Sequence, residues 1–248
     1  MKIRFASCNI LYDDAKSEPL WPQRLGLLKS AIMGWKPDIL ATQEGRKPQL
    51  FQLRDALAAD YELLDAHRSW HESKMYPCLF VKKGKFQCLE SHDRWLSETP
   101  AIEHSKSFGS KWPKLATFAN LKAGGEDFAV ASFHFDNVEP AARPLQAQVL
   151  IDEMTKLYSS GAVVFMGDAN DLPHSPTLEF FRSAGYEDPW KWQSVPHTFH
   201  GFSPAVKGGR IDYVLHSCAF KSEGTYCDKR CSDYYSDHYL IYADLQLG

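Results

Sequence analysis

Along this chain of 248 residues, apolar runs of strand type repeatedly break off into acids, amides and histidines, with helical patterns between them. The run Ile3 to Ile10 carries Ser7-Cys8-Asn9 near its end, and Asp38 to Thr42 leads into Gln43-Glu44. Phe128 to Phe133 is followed by His134-Phe135-Asp136, and Ala162 to Met166 by Gly167-Asp168-Ala169-Asn170. Late in the chain, Asp212 lies in a strand from Ile211 to His216, just after Gly208-Gly209. Ser236-Asp237-His238 precedes a last strand from Tyr239 to Leu245. Loops at the ends of packed strands are where a rigid scaffold presents functional groups.

The helical patterns fill the gaps. Pro22 opens one with Leu25, Leu28 and Ile32 on one face and Gly34 as its stop, and a second runs from Pro48 to Ala59. A third spans Ala141 to Tyr158 with Leu145, Val149 and Leu157 along its stripe, and a fourth spans Thr177 to Ala184. Cys78 to Lys82, Phe86 to Leu89 and Leu115 to Leu121 read as further strands, and Gly124-Gly125 marks a hairpin before Phe128. Strands in both halves with helices between them predict a layered α/β domain with helices outside the sheets. The absence of repeats and linkers predicts a single domain over residues 1–248.

Bulk properties exclude several classes. At 44% hydrophobic residues the chain can bury a substantial core, and a net charge of −3 argues against a protein built to coat nucleic acid. No run approaches the roughly 18 apolar residues that span a membrane, and the N-terminus has no signal-peptide core. The six cysteines form no paired CxxC motif, and Cys227 and Cys231 stand alone at a spacing of four. Reduced thiols in a cytoplasmic protein are the expectation.

Each polar cluster has an ordinary reading and a chemical one. Glu44 is either a first-turn acid or a hard oxygen ligand for magnesium or manganese. Asn9 either makes an Asx turn or coordinates through its carbonyl oxygen. In Gly167-Asp168-Ala169-Asn170 the glycine is expected to let the chain turn sharply, with Asp168 and Asn170 then facing one site. His238 beside Asp237 can act as a base or phosphate ligand, its tautomer fixed by Asp212, and His134 with Asp136 carries the same choice. Together they make the inventory of metal-assisted phosphoryl hydrolysis, with no P-loop, zinc-protease or nucleophile-elbow pattern competing.

Those residues, in this order, resemble the endonuclease/exonuclease/phosphatase superfamily. The likeness rests on Ser7-Cys8-Asn9-Ile10, Gln43-Glu44, Trp95-Leu96-Ser97-Glu98-Thr99-Pro100, His134-Phe135-Asp136, Gly167-Asp168-Ala169-Asn170, Gly209-Arg210-Ile211-Asp212-Tyr213 and Ser236-Asp237-His238. It implies a four-layer α/β sandwich, two mainly antiparallel or mixed sheets flanked by helices. It implies a magnesium site, with manganese as the alternative, at Glu44 with Asn9 and Asp237 nearby. By the same likeness Asp168 and Asn170 position or activate the attacking water and bind the phosphate. His238 oriented by Asp212 is base or phosphate contact, with Asp168 the other candidate base, and His134 stabilises the phosphorane or assists the leaving group. Ala169 stands where an aromatic is usual, and Asn137 departs from the His-x-Asp-His of some branches.

Substrate is less legible. Trp95, Trp112, Phe199 and Phe202 can stack on a base or sugar, and Lys106, Lys111 and Lys114 can meet phosphate. Thr198-Phe199-His200-Gly201-Phe202 resembles a segment of small bacterial members of the superfamily. A phosphodiester, nuclease-like substrate is the first expectation, a small or lipid phosphate ester the second, and an inactive binding module the third. A positive stripe across the cleft favours nucleic acid, and a narrow pocket favours a small ester.

Overall fold

The protein is described here by a computed structural model covering residues 1–14, 19–159, 161–190, 197–203, 208–227 and 234–248. Cys231 lies outside the described residues, and no disulfide joins the described cysteines.

In chain order the elements are β1 (Lys2–Asn9), α1 (Trp21–Trp35), β2 (Ile39–Arg46), α2 (Lys47–Leu57), β3 (Tyr61–Leu63), β4 (Met75–Lys82), β5 (Gln87–Trp95) and β6 (Leu115–Ala123). Then follow β7 (Glu126–His134), α3 (Ala142–Leu157), β8 (Val163–Asp168), α4 (Pro176–Ser183), β9 (Asp212–His216), β10 (Phe220–Cys227) and β11 (Ile241–Leu247). They form a six-stranded sheet, β10-β11-β1-β2-β4-β3, and a five-stranded sheet, β5-β6-β7-β8-β9. Both sheets are mixed, because β1 pairs with β2 and β7 with β8 in parallel while the other neighbours are antiparallel.

Strand alternation divides the core into three apolar layers. Ile3, Phe5, Ile39 and Ala41 of the first sheet meet Ala119, Val130, Val164 and Met166 of the second between the sheets. The opposite face of the first sheet, with Ala6, Cys8, Leu40 and Phe80, is covered by Leu28 and Ile32 of α1 and Leu50 and Leu53 of α2. Phe118, Ala131, Phe133 and Phe165 on the outer face of the second sheet are covered by Leu150 and Met154 of α3 and Leu178 and Phe181 of α4. This is the four-layer sandwich of two sheets flanked by helices. No helix among the described residues is long and apolar enough to cross a membrane.

Several local expectations need correction. Gly34 does not stop α1. It lies within the helix, and the chain leaves through Lys36 in the left-handed region at φ 50°. Of the expected stripe of α3, Val149 and Leu157 are half-buried and pack against the core, but the fully buried side lies beside them. Ala142, Gln146, Ala147, Leu150, Glu153 and Met154 are buried, and Leu145 is exposed. Polar pairing turns the helix: Gln146 Oε1 accepts from the Asp136 amide, Gln146 Nε2 donates to Ser110 Oγ, and Arg94 Nε donates to Glu153. The short β3 and the largely exposed β10 carry too weak an apolar pattern to read from sequence. The Gly124-Gly125 hairpin is as expected, both residues having positive φ between β6 and β7.

Candidate active site

The same alternation that builds the central layer also builds the site. In β1, Ile3 and Phe5 face the other sheet, so two-residue steps bring Ser7 and then Asn9 to that side. In β7, Phe128, Val130 and Ser132 lead to His134. In β8, Val164 and Met166 lead to Asp168, and in β9 Val214 steps back to Asp212. Register sets the last three abreast, because His134 pairs with Asp168 and Asp168 with Asp212. The apolar layer between the sheets thus ends in a row of polar side chains.

Glu44 breaks the alternation. Leu40 faces the helices, and an even step along β2 would send Glu44 the same way. The register shifts between Thr42 and Gly45, and Glu44 itself takes a positive φ of 65°. This bulge re-aims the carboxylate towards Asn9. Gln43, just before it, is buried and donates across the layer to Ser132 Oγ at 3.2 Å.

Asn9 stands at the centre of the cluster. Its amide nitrogen donates to Glu44 Oε1 and to Asp168 Oδ2, each at 3.1 Å, while its Oδ1 accepts the Leu11 amide at 3.0 Å. His134 Nε2 lies 3.7 Å from both Glu44 Oε1 and Asp168 Oδ2 and is buried without a hydrogen-bond partner. Asp168 Oδ1 accepts the Asn170 amide at 2.8 Å. His238 holds Asp212 Oδ2 through Nδ1 at 2.9 Å and points Nε2 towards Asp168 Oδ2 at 3.9 Å. The neighbouring loop is tied in by Ser236, whose hydroxyl donates to the Asn9 carbonyl at 2.6 Å. All eight residues singled out from sequence therefore belong to one neighbourhood, Asp237 through its place beside Ser236 and His238.

The charges in this cluster are poorly compensated. Burial pushes the Glu44 carboxyl above its ordinary range, although the Asn9 hydrogen bond pulls the other way. Burial, reinforced by Asp212, also pushes Asp168 upward. Burial works against a charged His238, but Asp212 at hydrogen-bond distance, with Asp168 and Asp237, outweighs it and raises the imidazole to about 10. His134 goes the opposite way: burial, with Lys114 and His238 nearby, holds it well below its usual value, so the ring is neutral. Two raised carboxyls on one amide nitrogen, beside an unpartnered imidazole nitrogen, are a donor set that would fit a divalent cation. Their oxygen donors suit magnesium or manganese.

Gly167 and Asp136 have structural duties that the sequence reading missed. Gly167 lies inside β8, where an added Cβ would meet the Phe133 carbonyl oxygen at 2.0 Å, so close strand approach demands glycine rather than a turn. The turn comes at Asn170, with φ 51°, whose amide nitrogen donates to the Phe135 carbonyl. Asp136 does not join His134. Its carboxylate accepts the Val138 and Glu139 amides and the Ser110 hydroxyl, organising the approach to α3.

Thr198 was quoted without a role, and it has one. Its Oγ1 accepts the amides of Ile211 and Asp212 at 3.0 and 3.1 Å, and its carbonyl accepts the Tyr239 amide at 2.8 Å. His200 and Gly201 donate their amides to the Asp237 carbonyl, and the Phe199 ring packs edge-on to His238 at 5.1 Å. The segment stitches the strand bearing Asp212 to the loop bearing His238. A threonine ahead of an aromatic and a histidine was the only hint.

Above the cluster opens a cleft of about 510 Å³, lined by Glu44 and His134 at one end and by Arg46, Lys74 and Lys114 as cations. Tyr12, Tyr76, Trp95 and Trp112 add aromatic walls, and Asn137 borders it. Lys114 was expected to meet phosphate and does face the cleft. Lys106 does not line it; its ammonium group donates to the Lys111 carbonyl. Phe199 lies against His238 and Phe202 near His200, away from the cleft walls. Tyr12 and Arg46 follow shortly after Asn9 and Glu44, and Lys74 and Tyr76 come from around the start of β4, none of them singled out from sequence.

Solved structures with this architecture span several activities. A protein from Bacteroides vulgatus described as an endonuclease/exonuclease/phosphatase superposes with a TM-score of 0.93 at 26% identity, covering 100% of both chains. A mannosyl-6-phosphatase from Bacteroides thetaiotaomicron matches with a TM-score of 0.87 at 24% identity, over 98% of this chain and 99% of that one. TDP2 of D. rerio, complexed with a single-strand DNA product, matches with a TM-score of 0.76 at 17% identity, over 99% of each chain. Comparison with curated proteins finds no match. The model of the Endonuclease/Exonuclease/phosphatase family matches residues 6–238, which takes in every residue of the cluster, and the chain therefore belongs to that family of phosphoester hydrolases.

Proposed function

We propose that residues 1–248 act as one domain and form a divalent-metal-dependent phosphoesterase, hydrolysing its substrate by in-line attack of water. The observation that carries this reading is the Asn9 amide holding Glu44 and Asp168 side by side, with His134 and His238 flanking them. Glu44 is the principal ligand, with Asn9 and Asp237 beside it. Magnesium, or manganese in its place, supplies positive charge against the phosphoryl oxygens as negative charge develops there.

The protein groups do the rest. Asp168, raised by burial towards the neutral range, accepts the proton of the attacking water while Asn170 holds its loop. The His238 imidazolium, fixed through Nδ1 by Asp212, presents Nε2–H to a phosphoryl oxygen. His134, neutral and unpartnered at Nε2, donates to a second one while the ester P–O bond opposite the water breaks and the leaving oxygen takes up a proton from solvent.

The cleft favours a small phosphate ester over the nucleic-acid diester that leads on sequence alone. Its volume of about 510 Å³ lies in the range of small-ligand sites, and its aromatic walls suit one ring beside the phosphate. A second reading, single-stranded nucleic acid, is favoured by Trp112, an exposed ring on the cleft with the Lys111 ammonium 5.4 Å from its centroid. Hydrolysis of sugar phosphates, nucleotides, bis-p-nitrophenyl phosphate and single-stranded DNA, each with magnesium, manganese or EDTA, tests both. Turnover of small esters that EDTA abolishes is expected. Equal turnover in EDTA would refute the metal-dependent mechanism, and turnover of DNA alone would reverse the substrate order.

A further inference from the structure

Beside the cleft, which His104 helps to line, two loops bring two imidazoles onto one carboxylate oxygen. His71 comes from the loop between β3 and β4, and Glu103 and His104 come from the loop between β5 and β6. Glu103 Oε1 lies 3.2 Å from His71 Nε2 and 3.4 Å from His104 Nε2. One ligand atom from each of the three residues falls within 4.8 Å of the other two.

These separations have a chemical meaning. In a tetrahedral zinc site with bonds of 2.0–2.1 Å, neighbouring ligand atoms stand about 3.4 Å apart. Both measured distances match that edge. Two imidazole nitrogens and a carboxylate also form the donor set that prefers zinc to magnesium, which takes oxygen ligands. The His104 ring packs edge-on to Trp95 at 4.8 Å and to the His71 ring at 5.4 Å, and the His71 backbone is anchored by its amide donating to the Tyr76 hydroxyl at 2.9 Å. Trp95, His104 and Tyr76 all line the cleft, so this cluster belongs to its wall.

We propose that His71, Glu103 and His104 form a zinc-class cation site that clips the two loops together and stiffens one wall of the cleft. A fourth position, left open by three protein ligands, takes water or an anionic group of the ligand. Of the cations near in sequence, Arg68 is tied to Asp93, Lys106 donates to the Lys111 carbonyl, and the exposed Lys74 has a flexible stem that lets it turn to solvent. The site is independent of the magnesium centre proposed at Glu44, and its test separates the two.

The test titrates chelator-stripped protein with zinc chloride by calorimetry, in excess magnesium, for wild type, Glu44→Gln, His71→Ala and His104→Ala. One zinc per chain is expected to persist in Glu44→Gln and to weaken by more than about 100-fold in either histidine variant, since even outer-shell losses cost 10–100-fold. An isotherm unchanged by His71→Ala, or zinc binding lost with Glu44→Gln and kept in His71→Ala, would overturn the clip and leave the Glu44 centre standing. A second readout covers variants that bind poorly for other reasons. Trypsin cleavage after the exposed Lys106 and Lys111 should slow with zinc in wild type and not in His71→Ala. Cleavage indifferent to zinc in both would also overturn it.

Discussion

Replacing Asp212 by Asn should change how the metal-free protein responds to pH, and by an amount set by one proton. Asp212 Oδ2 lies 2.9 Å from His238 Nδ1, is fully buried, and is what keeps the imidazole charged, with a pKa of about 10 against 6.5. A histidine whose folded pKa is raised contributes stability that is fully present below its unfolded pKa and lost as pH rises through the folded one. Between pH 7.5 and 9.5 the folded state therefore holds one proton that the unfolded chain has released. Linkage then makes this term fall as pH rises, by roughly 3 kcal/mol across the window. Asn removes the largest of the raising charges and leaves Asp168 and Asp237, so the variant has a smaller slope over this window. Burial shifts Lys114 down and the buried tyrosines Tyr158 and Tyr213 up. They are common to both proteins and cancel in the difference. Urea unfolding of wild type and Asp212→Asn at three pH values, in EDTA, reads it directly. Parallel pH dependences would refute the idea that Asp212 holds His238 as an imidazolium.

Other expectations follow from the same geometry. Glu44→Gln should raise the melting temperature of the metal-free protein, because burial already opposes the carboxylate, while abolishing stabilisation by added magnesium and lowering turnover by about 100-fold or more. A variant that loses stability in EDTA would contradict this account of Glu44. Gly167→Ala forces a Cβ against the Phe133 carbonyl oxygen and should cost about 1–3 kcal/mol in chemical denaturation. An unchanged midpoint would show that β7 and β8 separate freely. Thr198→Val removes the acceptor for two amides and should destabilise by about 1–3 kcal/mol and shift the pH profile of turnover, whereas Thr198→Ser should retain both properties. Equivalent behaviour of Val and Ser would remove the positioning role.

Much of the site was legible because strand alternation is a local rule. Once β1, β7, β8 and β9 are known to bury alternate residues, Asn9, His134, Asp168 and Asp212 must emerge at one end of the layer between the sheets. The pairing of Asp212 with His238 was also anticipated, as a carboxylate able to fix the ring's tautomer and from the family resemblance. Where the reading failed, a nonlocal contact had taken over. Gly167 looked like a turn glycine and is a packing glycine, because Phe133 of the adjacent strand fills its side-chain space. Asp136 looked like a partner for His134 and instead accepts amides leading into α3. The buried stripe of α3 was misplaced because Gln146 and Glu153 pair with Asp136, Ser110 and Arg94 from other elements.

The sequence by itself determined the layered class of the fold, the family, and which acids, amides and histidines converge, since period-two burial and residue chemistry are written along the chain. Tertiary structure alone decided where those groups point and how they are charged. The bulge that turns Glu44 inward depends on a register shift against β4. The raised His238 and lowered His134 depend on burial and on charges brought from other strands. The cleft cations Arg46, Lys74 and Lys114 come from three separate segments, as do the walls between them. A pKa, a re-aimed side chain and a cleft are sums over neighbours in space, and spacing along the chain does not contain them.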